Sequence, residues 1–441
     1  MMFGRYKTLS LAIALALGLT QPAIAQNTVL SAQESDPTVM GWMQGFPPPA
    51  DKLITQPDSN YFSFPKLRWS VCHLREFLPT EAISRGIGAP VPLPYAEGRD
   101  AIEAEIDALS FTVMNSSDTM TWEESLFANY TDGMLILHKG EIVYERYFGC
   151  LEEIGKHAAM SMTKSITGLL AEIMVQEGAL DDSLLVRDII PSIGGSAFAT
   201  ASVREVMDMT TGVQYSEDYS DPNADVWLYT AAASPLPKAA DYDGPDGYWE
   251  YLQQVQPDGN HGDAFHYKTV NSDMLGWIIS TVAQKSVTEL AADRLWTKMG
   301  AELEAEMTVD GKGVPFAGGG LTAGLRDLGR IGMLMLQGGE INGERVFPAE
   351  VVTAISSGGD PSKFGGFGTI PNGSYTSQWW VFHNDHGAYA ARGVHGQTIY
   401  VDPTAEMVLV RFASFPQAQN GFIDPTSLPA YQAVAEYLLQ R

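Results

Sequence analysis

The sequence predicts an α+β fold, in which antiparallel strands from both ends of the chain form a sheet covered by helices. A β-hairpin pattern lies at residues 134–148, where two apolar runs flank a turn at 138–141. Two further strand patterns lie near the C-terminus, at 397–401 and 407–412. The intervening residues 165–283 are mostly helical in pattern, with long loops, which predicts a helical subdomain.

Individual helices are predicted where apolar residues recur at intervals of three and four. Glycine-containing turns mark several of their ends, among them Gly212, the Gly338-Gly339 pair and the Asn342-Gly343 turn. The predicted helices cover residues 100–109, 203–209, 271–282, 325–336 and 430–439, together with one that begins at Ser161.

The first 25 residues differ in composition from the rest. Arg5 and Lys7 precede an apolar run at 9–19, and small residues follow at 23–25. This pattern predicts a secretory signal peptide at 1–25 and export, to the periplasm. The apolar run is short for a membrane span, although an anchor helix is the alternative interpretation. Residues 26–89 are rich in proline, glycine and aromatic residues, which predicts an extended arm around a main domain at 90–441.

Composition limits the classes of partner. The 441 residues carry a formal charge of −26, which argues against nucleic acids and anionic membranes as partners. Apolar residues make up 45% of the chain, which suits a soluble protein with a large core. The two cysteines, Cys72 and Cys150, fit either one disulfide in an exported protein or two free thiols.

The strongest chemical pattern is Ser161-Met162-Thr163-Lys164 at the start of a predicted helix. Positions three apart share one face of a helix, so the Ser161 hydroxyl and the Lys164 amine are expected side by side. A serine hydroxyl needs an adjacent base to act as a nucleophile. Burial lowers the pKa of a lysine and makes it such a base. Taken alone, the pattern also fits two solvated polar residues.

Two further features accompany this pair. Tyr267 precedes the predicted helix 271–282, where its phenol is expected to point into a cleft and to carry a proton. Gly393-Val394-His395-Gly396-Gln397 begins a predicted strand. We expect the backbone N–H of Gln397 to form an oxyanion hole with the N–H of Ser161. A packed core tyrosine and a structural turn are the alternative interpretations.

The three features, in this order and about a hundred residues apart, resemble those of the serine β-lactamase and penicillin-binding-protein superfamily. The pattern S-x-x-K is matched by Ser161 and Lys164, and Tyr-x-Asn is matched by Tyr267 and Thr269. The third, Lys-Thr-Gly or a histidine-containing variant, is matched loosely at 394–396. The resemblance implies a β-lactamase/transpeptidase-like fold and catalysis by Ser161, Lys164 and Tyr267.

Other segments are similar to the class C-type branch that contains 6-aminohexanoate-dimer hydrolases and family VIII esterases. They are the Gly-Phe-Pro-Pro-Pro run at 45–49, residues 75–80, and the glycines 318–320 near Arg326-Asp327. Tyr219 matches a substrate-loop tyrosine of that branch. The resemblance therefore implies that Tyr219 and Thr269 bind the substrate. At the predicted strand start, we expect the substrate to lie against the small Gly396 and to touch His395.

Two departures from the β-lactamase pattern affect the expected substrate. Thr269 replaces the asparagine that binds the amide side chain of a lactam, and Val394 replaces the lysine that meets its carboxylate. We therefore expect esters or small linear amides, cleaved without a cofactor through an acyl-enzyme on Ser161. A β-lactamase or D,D-peptidase is the alternative enzyme, and a non-catalytic penicillin-recognising sensor domain is the alternative from another class.

A metal site is not expected. Histidines and aspartates cluster at His383, Asp385 and His386, and again at His261, Asp263 and His266. Neither group has the helical pair of histidines, four residues apart, that is typical of zinc sites. We interpret both groups as surface loops. The sequence leaves the oligomeric state open.

Overall fold

The structure is a computed structural model, which describes residues 29–55, 60–219, 221–238, 240–365 and 367–441. The predicted signal peptide at 1–25 lies outside these residues. Within the described ranges, no helix combines the length and the apolar character that crossing a bilayer requires.

The helices alternate with long loops along the chain. In chain order they are α1 (Pro37–Met40), α2 (Leu67–Ser70), α3 (Arg99–Asp107), α4 (Trp122–Ala128), α5 (Met162–Gln176), α6 (Val186–Ile189), α7 (Val203–Met207), α8 (Asp225–Ala233), α9 (Tyr248–Leu252), α10 (Val270–Ala283), α11 (Val287–Ala291), α12 (Leu325–Leu336), α13 (Ala349–Ser356), α14 (Pro361–Phe364) and α15 (Asp424–Leu438). Short 3₁₀ segments include Val394–Gly396 and Asn420–Phe422, and a π-helical turn at Ala292–Trp296 follows α11.

The strands fall into an early and a late group. They are β1 (Thr80–Ile83), β2 (Ser110–Thr112), β3 (Thr119–Thr121), β4 (Thr131–His138), β5 (Glu141–Tyr147), β6 (His157–Ala158), β7 (Ala305–Thr308), β8 (Leu321–Ala323), β9 (Glu340–Ile341), β10 (Glu344–Arg345), β11 (Ser374–Thr376), β12 (Trp379–Val381), β13 (Tyr389–Gly393), β14 (Gln397–Asp402) and β15 (Met407–Ala413).

The main sheet joins strands from both ends of the chain. Its order is β11-β12-β13-β14-β15-β4-β5, with every neighbouring pair antiparallel. Strand β4 sits between β15 and β5, so the early hairpin closes onto the C-terminal strands. The predicted α+β class and both predicted strand groups are confirmed.

Helices cover both faces of this sheet, which explains the continuous apolar run in β4. Side chains alternate between faces along a strand. Leu135 and Leu137 pack into the core that contains α12 and α5, whereas Met134 and Ile136 pack against α3, α4 and α15. Because both faces are buried, apolar residues occupy consecutive positions of β4.

A second, smaller sheet carries the start of α5. Its order is β1-β7-β8-β6, and β6 pairs antiparallel with β8. Three residues separate the end of β6 from the start of α5, and β8 directly follows Gly318-Gly319-Gly320. The pairing therefore brings the triple glycine close to the first turn of α5.

The segment before β1 is tied to the main body by covalent and ionic contacts. A disulfide joins Cys72 and Cys150, so the two-free-thiol interpretation is excluded. Arg68 in α2 donates to Asp132 Oδ1 in β4 at 3.0 Å, and Asp132 Oδ2 lies 3.2 Å from His157 Nε2 in β6. This region contains the short helices α1 and α2, and its continuation β1 enters the smaller sheet.

Candidate active site

Ser161 stands between β6 and α5, immediately before the first helical residue. The preceding residue, Met160, has a φ of +48°, a left-handed conformation that a bulky side chain rarely adopts. Two bonds hold this turn: the Thr163 hydroxyl donates to Met160 O at 2.6 Å, and Leu321 N donates to Thr163 Oγ1 at 3.1 Å. The Ser161 hydroxyl is thus presented by a fixed and strained turn, as is common at active sites.

Lys164 lies one helical turn along α5 and contacts Ser161. Its Nζ is 3.1 Å from Ser161 Oγ and 2.5 Å from the carbonyl oxygen of Gly318. The side chain is 1% exposed, so these two neutral groups replace its hydration shell. The carbonyl of Gly318 takes one N–H of the amine and thereby orients its remaining atoms toward Ser161.

The surroundings of Lys164 favour a neutral amine. Burial lowers its pKa below the usual value, while the carboxylates of Glu217 and Asp273 act in the opposite direction. A neutral lysine has a lone pair that accepts a proton from a hydroxyl 3.1 Å away. The geometry of the pair is therefore suited to activating Ser161.

Tyr267 completes a three-residue cluster. Lys164 Nζ lies 5.3 Å from the centre of its ring, and its hydroxyl interacts with that of Ser161. Burial, followed by the negative charge of Glu217, raises the pKa of Tyr267, so the phenol stays protonated near neutral pH. The ring stacks on Trp380, with centroids 5.5 Å apart. The structure thus brings the three residues that the sequence singles out into one place.

A cavity of about 460 Å³ lies beside this cluster. Aromatic side chains form much of its wall, and Gly393 and Val394 form the wall at the end of β13. The lining residues are Glu217, Tyr219, Tyr267, Phe367, Gly368, Thr369, Trp380, Arg392, Gly393, Val394, Gln419, Asn420, Gly421 and Asp424. A second cavity, of about 510 Å³, is lined by the stacked Trp249 and Trp277 and by Asp273 of α10.

Two of the predicted substrate-binding residues meet at Glu217. Its carboxylate accepts the Tyr219 hydroxyl at 2.6 Å, and it accepts the backbone N–H and the hydroxyl of Thr269 at 2.7 Å each. Tyr219 and Glu217 line the cavity, whereas Thr269 is buried behind them. Glu217 was not predicted from the sequence, although it lies two residues before Tyr219.

Arg392 and Asp424 form an ion pair in the cavity wall. The guanidinium lies 5.5 Å from the centre of the Trp380 ring, and the Thr369 hydroxyl donates to Asp424 Oδ2 at 2.6 Å. The charges of Arg392 and Asp424 are therefore matched by each other. Arg392 was also missed by the sequence analysis, although it directly precedes the predicted Gly-Val-His-Gly-Gln segment.

The end of β13 approaches the backbone of Ser161. A Cβ atom on Gly393 would lie 2.9 Å from Ser161 N and 2.8 Å from Ala159 O, so any larger residue would fill this space. Gln397, the predicted partner in the oxyanion hole, is fully buried, and its side chain bonds to both backbone groups of Ala413. Because Gly393 and Val394 line the cavity and Gln397 does not, the geometry favours Val394 N–H over Gln397 N–H as the second donor.

His395 and Gly396 lie in the turn behind this strand end rather than in the cavity wall. The His395 ring bonds to the carbonyl oxygen of Phe415 at 2.7 Å, and burial lowers its pKa. Gly396 has a φ of +100° and packs against Ala413 and Ile423. The expected contact with substrate does not fit these positions, because a tight turn after β13 directs both residues toward the strand β15 and the loop that follows it.

Histidines of the two groups considered as metal sites form hydrogen bonds with other residues. His383 bonds to Ser374 at 2.7 Å, His386 to Asp402 at 2.7 Å, and His261 to Thr200 at 3.1 Å. In the described ranges, the one group of three ligand atoms close enough to hold a metal consists of Cys72, Cys150 and His157. Those two cysteines are bonded to each other.

Comparison with known proteins identifies relatives of the chain that carries Ser161, Lys164 and Tyr267. A protein family model described as Beta-lactamase matches residues 124–428, which include Ser161, Lys164 and Tyr267. A 6-aminohexanoate-dimer hydrolase from Paenarthrobacter ureafaciens is 33% identical over 355 residues, which are 80% of this chain and 86% of that protein.

Two solved structures are also similar to this chain, to different degrees. A candidate 6-aminohexanoate-dimer hydrolase from Bacillus anthracis superposes with a TM-score of 0.79 at 29% identity, over 89% of this chain and 99% of that one. A family VIII carboxylesterase superposes with a TM-score of 0.50 at 13% identity, over 71% of this chain and 96% of its own. The second similarity is one of fold alone.

Proposed function

Since the chain belongs to the β-lactamase family and is a serine hydrolase of that superfamily, we propose that it cleaves esters or small linear amides through an acyl-enzyme on Ser161. The contact between Lys164 Nζ and Ser161 Oγ, at 3.1 Å in a buried setting, carries this proposal. The names of two relatives, both described as 6-aminohexanoate-dimer hydrolases, support the linear amide as a substrate class.

In the first step, Ser161 Oγ attacks the substrate carbonyl carbon while its proton passes to Lys164 Nζ. The lowered pKa of Lys164 and the raised pKa of Tyr267 support the amine as the acceptor and the phenol as a protonated carrier. The oxyanion accepts hydrogen bonds from the N–H groups of Ser161 and Val394. The bond to the leaving group then breaks, and Lys164 returns the proton to that group through the Tyr267 hydroxyl.

In the second step, a water molecule attacks the ester on Ser161. Its proton passes through the Tyr267 hydroxyl to Lys164 Nζ, and Lys164 returns a proton to Ser161 Oγ as the acyl bond breaks, so the acid product leaves and the Ser161 hydroxyl is restored. The cavity wall supports extended acyl groups, because its aromatic rings offer apolar surface. Its ion pair, Arg392 with Asp424, is already matched.

Replacement of the nucleophile tests this function. We expect Ser161→Ala to lower kcat for p-nitrophenyl butyrate and for a linear amide dimer by about 10⁴- to 10⁶-fold. The variant should keep its far-ultraviolet circular dichroism, because Ser161 is a small residue in a preformed turn. Mass spectrometry of a trapped wild-type intermediate should place the acyl group on the peptide that contains Ser161. Near-normal turnover by Ser161→Ala would refute the proposal.

We also propose that the protein is exported, to the periplasm, and that residues 90–441 form the catalytic domain with 26–89 as an arm. The Cys72–Cys150 disulfide supports export, because such bonds persist in oxidising compartments. N-terminal sequencing of protein recovered from the periplasmic fraction should begin at Gln26. A mature protein that still begins at Met1 in the cytoplasm would contradict this part of the proposal.

A further inference from the structure

Asp273 is a buried carboxylate close to Lys164, and a single glycine connects the two. The N–H of Gly318 donates to Asp273 Oδ1 at 3.1 Å, and the carbonyl of Gly318 accepts from Lys164 Nζ at 2.5 Å. We propose, on the basis of the function proposed above, that Asp273 is a positioning residue that holds the Lys164 amine against Ser161 through the backbone of Gly318.

Gly318 has no room to move within this connection. A Cβ atom at this position would lie 2.6 Å from Thr269 Cγ2 and 2.9 Å from Asp273 Oδ2. Thr269 and Asp273 are four residues apart on the same face of the α10 region, so the helix presents both to the glycine. The position of the Gly318 carbonyl, and with it that of the Lys164 amine, therefore follows the position of α10.

Asp273 is itself fixed by a second bond. Its Oδ2 accepts the hydroxyl of Tyr229 at 2.6 Å, and Tyr229 is fully buried in α8. A carboxylate that accepts from Tyr229 on one oxygen and from Gly318 on the other has little freedom to rotate. Asp273 thus transmits the packing of α8 and α10 to the triple glycine.

The charge of Asp273 also acts on Lys164. The ionisable groups that face this carboxyl include Lys164 on α5, Tyr229 on α8, Tyr248 on α9, and Tyr215 in the loop before α8. The charged residues Lys285, Glu289 and Lys312 line the same cavity as Asp273. Burial raises the pKa of Asp273 to about 7, against the lowering effects of Tyr229 and Lys164. When Asp273 is ionised, its charge raises the pKa of Lys164 and so opposes the effect of burial.

Two substitutions distinguish the hydrogen bond between Gly318 N–H and Asp273 from the effect of the negative charge of Asp273. Asp273→Asn keeps an acceptor for Gly318 N–H but removes the charge, so the pKa of Lys164 falls. We expect the acidic limb of the kcat/KM profile for p-nitrophenyl butyrate to move to lower pH, with the plateau within a few-fold of wild type. Asp273→Ala removes the acceptor as well. We expect it to lower kcat by about 10- to 100-fold with KM within about threefold, since a displaced catalytic group slows chemistry more than binding.

A matched control is available in α12. Asp327 is also buried and accepts backbone N–H groups, from Glu302 at 2.7 Å and from Leu303 at 3.0 Å, but it contacts none of the site residues named above. Asp327→Asn should therefore leave both the pH profile and kcat unchanged, whatever it does to the melting temperature. An equal loss of kcat in Asp327→Asn and the Asp273 variants would show a general effect of disturbed folding and would overturn the proposal.

The pH profile keeps the proposal testable even if Asp273→Ala fails to fold. An acidic limb that does not move in Asp273→Asn would overturn the role of this residue. Ser161→Ala, assayed in parallel with the same ester, separates the two proposals. If Ser161→Ala is inactive while both Asp273 variants match wild type, the positioning role alone fails. If Ser161→Ala remains active, the proposed function itself fails.

Discussion

The buried cations Arg68 and Lys164 have different kinds of partner. Arg68 meets a carboxylate, Asp132, at 3.0 Å, and it also donates to the Ser414 hydroxyl at 3.1 Å. Among the residues that the structure describes, the hydrogen-bond partners of Lys164 are neutral: the Ser161 hydroxyl and the Gly318 carbonyl. A buried cation paired with an anion holds segments together, whereas one given neutral partners has a lowered pKa and is available for proton transfer. We therefore assign the Arg68 group to stability and the Lys164 group to chemistry.

The largest effect expected from this difference is on activity. Lys164→Met removes the amine but keeps an unbranched apolar side chain of similar length in α5. We expect kcat/KM for p-nitrophenyl butyrate to fall by about 10³- to 10⁴-fold, the range for loss of a positioned general base. The melting temperature should stay the same or rise, because a buried polar group with neutral partners costs folding free energy. Activity within tenfold of wild type would contradict the role given to Lys164.

The opposite outcome is expected for Arg68. Arg68→Met leaves Asp132 buried without its cation, which should lower the free energy of unfolding by about 3–5 kcal/mol. Denaturation by urea measures this change, and kcat of the folded fraction should remain within a few-fold of wild type. The double variant Arg68→Met/Asp132→Asn removes both charges and should recover part of the loss. If Arg68→Met lowered kcat as much as Lys164→Met does, the distinction between the two groups would be wrong.

Helices and other local features of the fold were predictable from the sequence, whereas contacts between distant segments were not. Helix α12 has the predicted bounds 325–336, because an apolar stripe and the glycines that follow it are local signals. The C-terminal helix α15 begins at Asp424, six residues before its predicted start at 430. Pro425 lies in its first turn, where a missing N–H costs nothing, and Pro429 lies inside it. Because proline usually interrupts a helix, these two residues hide the true start of α15 in the sequence.

The candidate site shows the same division. The spacing of Ser161 and Lys164 predicted their contact, because both lie in one helical turn. Glu217, Asp273 and Gly318 were not predicted as neighbours of Lys164, since the folding of three separate segments brings them there. The four-stranded sheet that places Gly318 near α5 consists of strands of two to four residues, which are too short to give a periodic signal. Two short spacings were usable signals, however. Glu217 lies two residues before the predicted site residue Tyr219, and Asp273 lies four residues after the predicted site residue Thr269, on the same helical face.

The smallest effect on activity is expected at His395. Its substitution tests whether this residue supports the structure, as Arg68 does, or takes part in the reaction, as Lys164 does. The sequence favoured a contact with substrate, whereas the ring bonds to Phe415 O at 2.7 Å in a turn where His395 has a φ of +63°. His395→Asn is the matched change, because asparagine tolerates this left-handed conformation. We expect kcat and KM to stay within about threefold of wild type and the free energy of unfolding to fall by about 1–3 kcal/mol. A rise in KM of tenfold or more with unchanged stability would instead place His395 among the groups that meet the substrate, and the turn after β13 would then have to open during turnover.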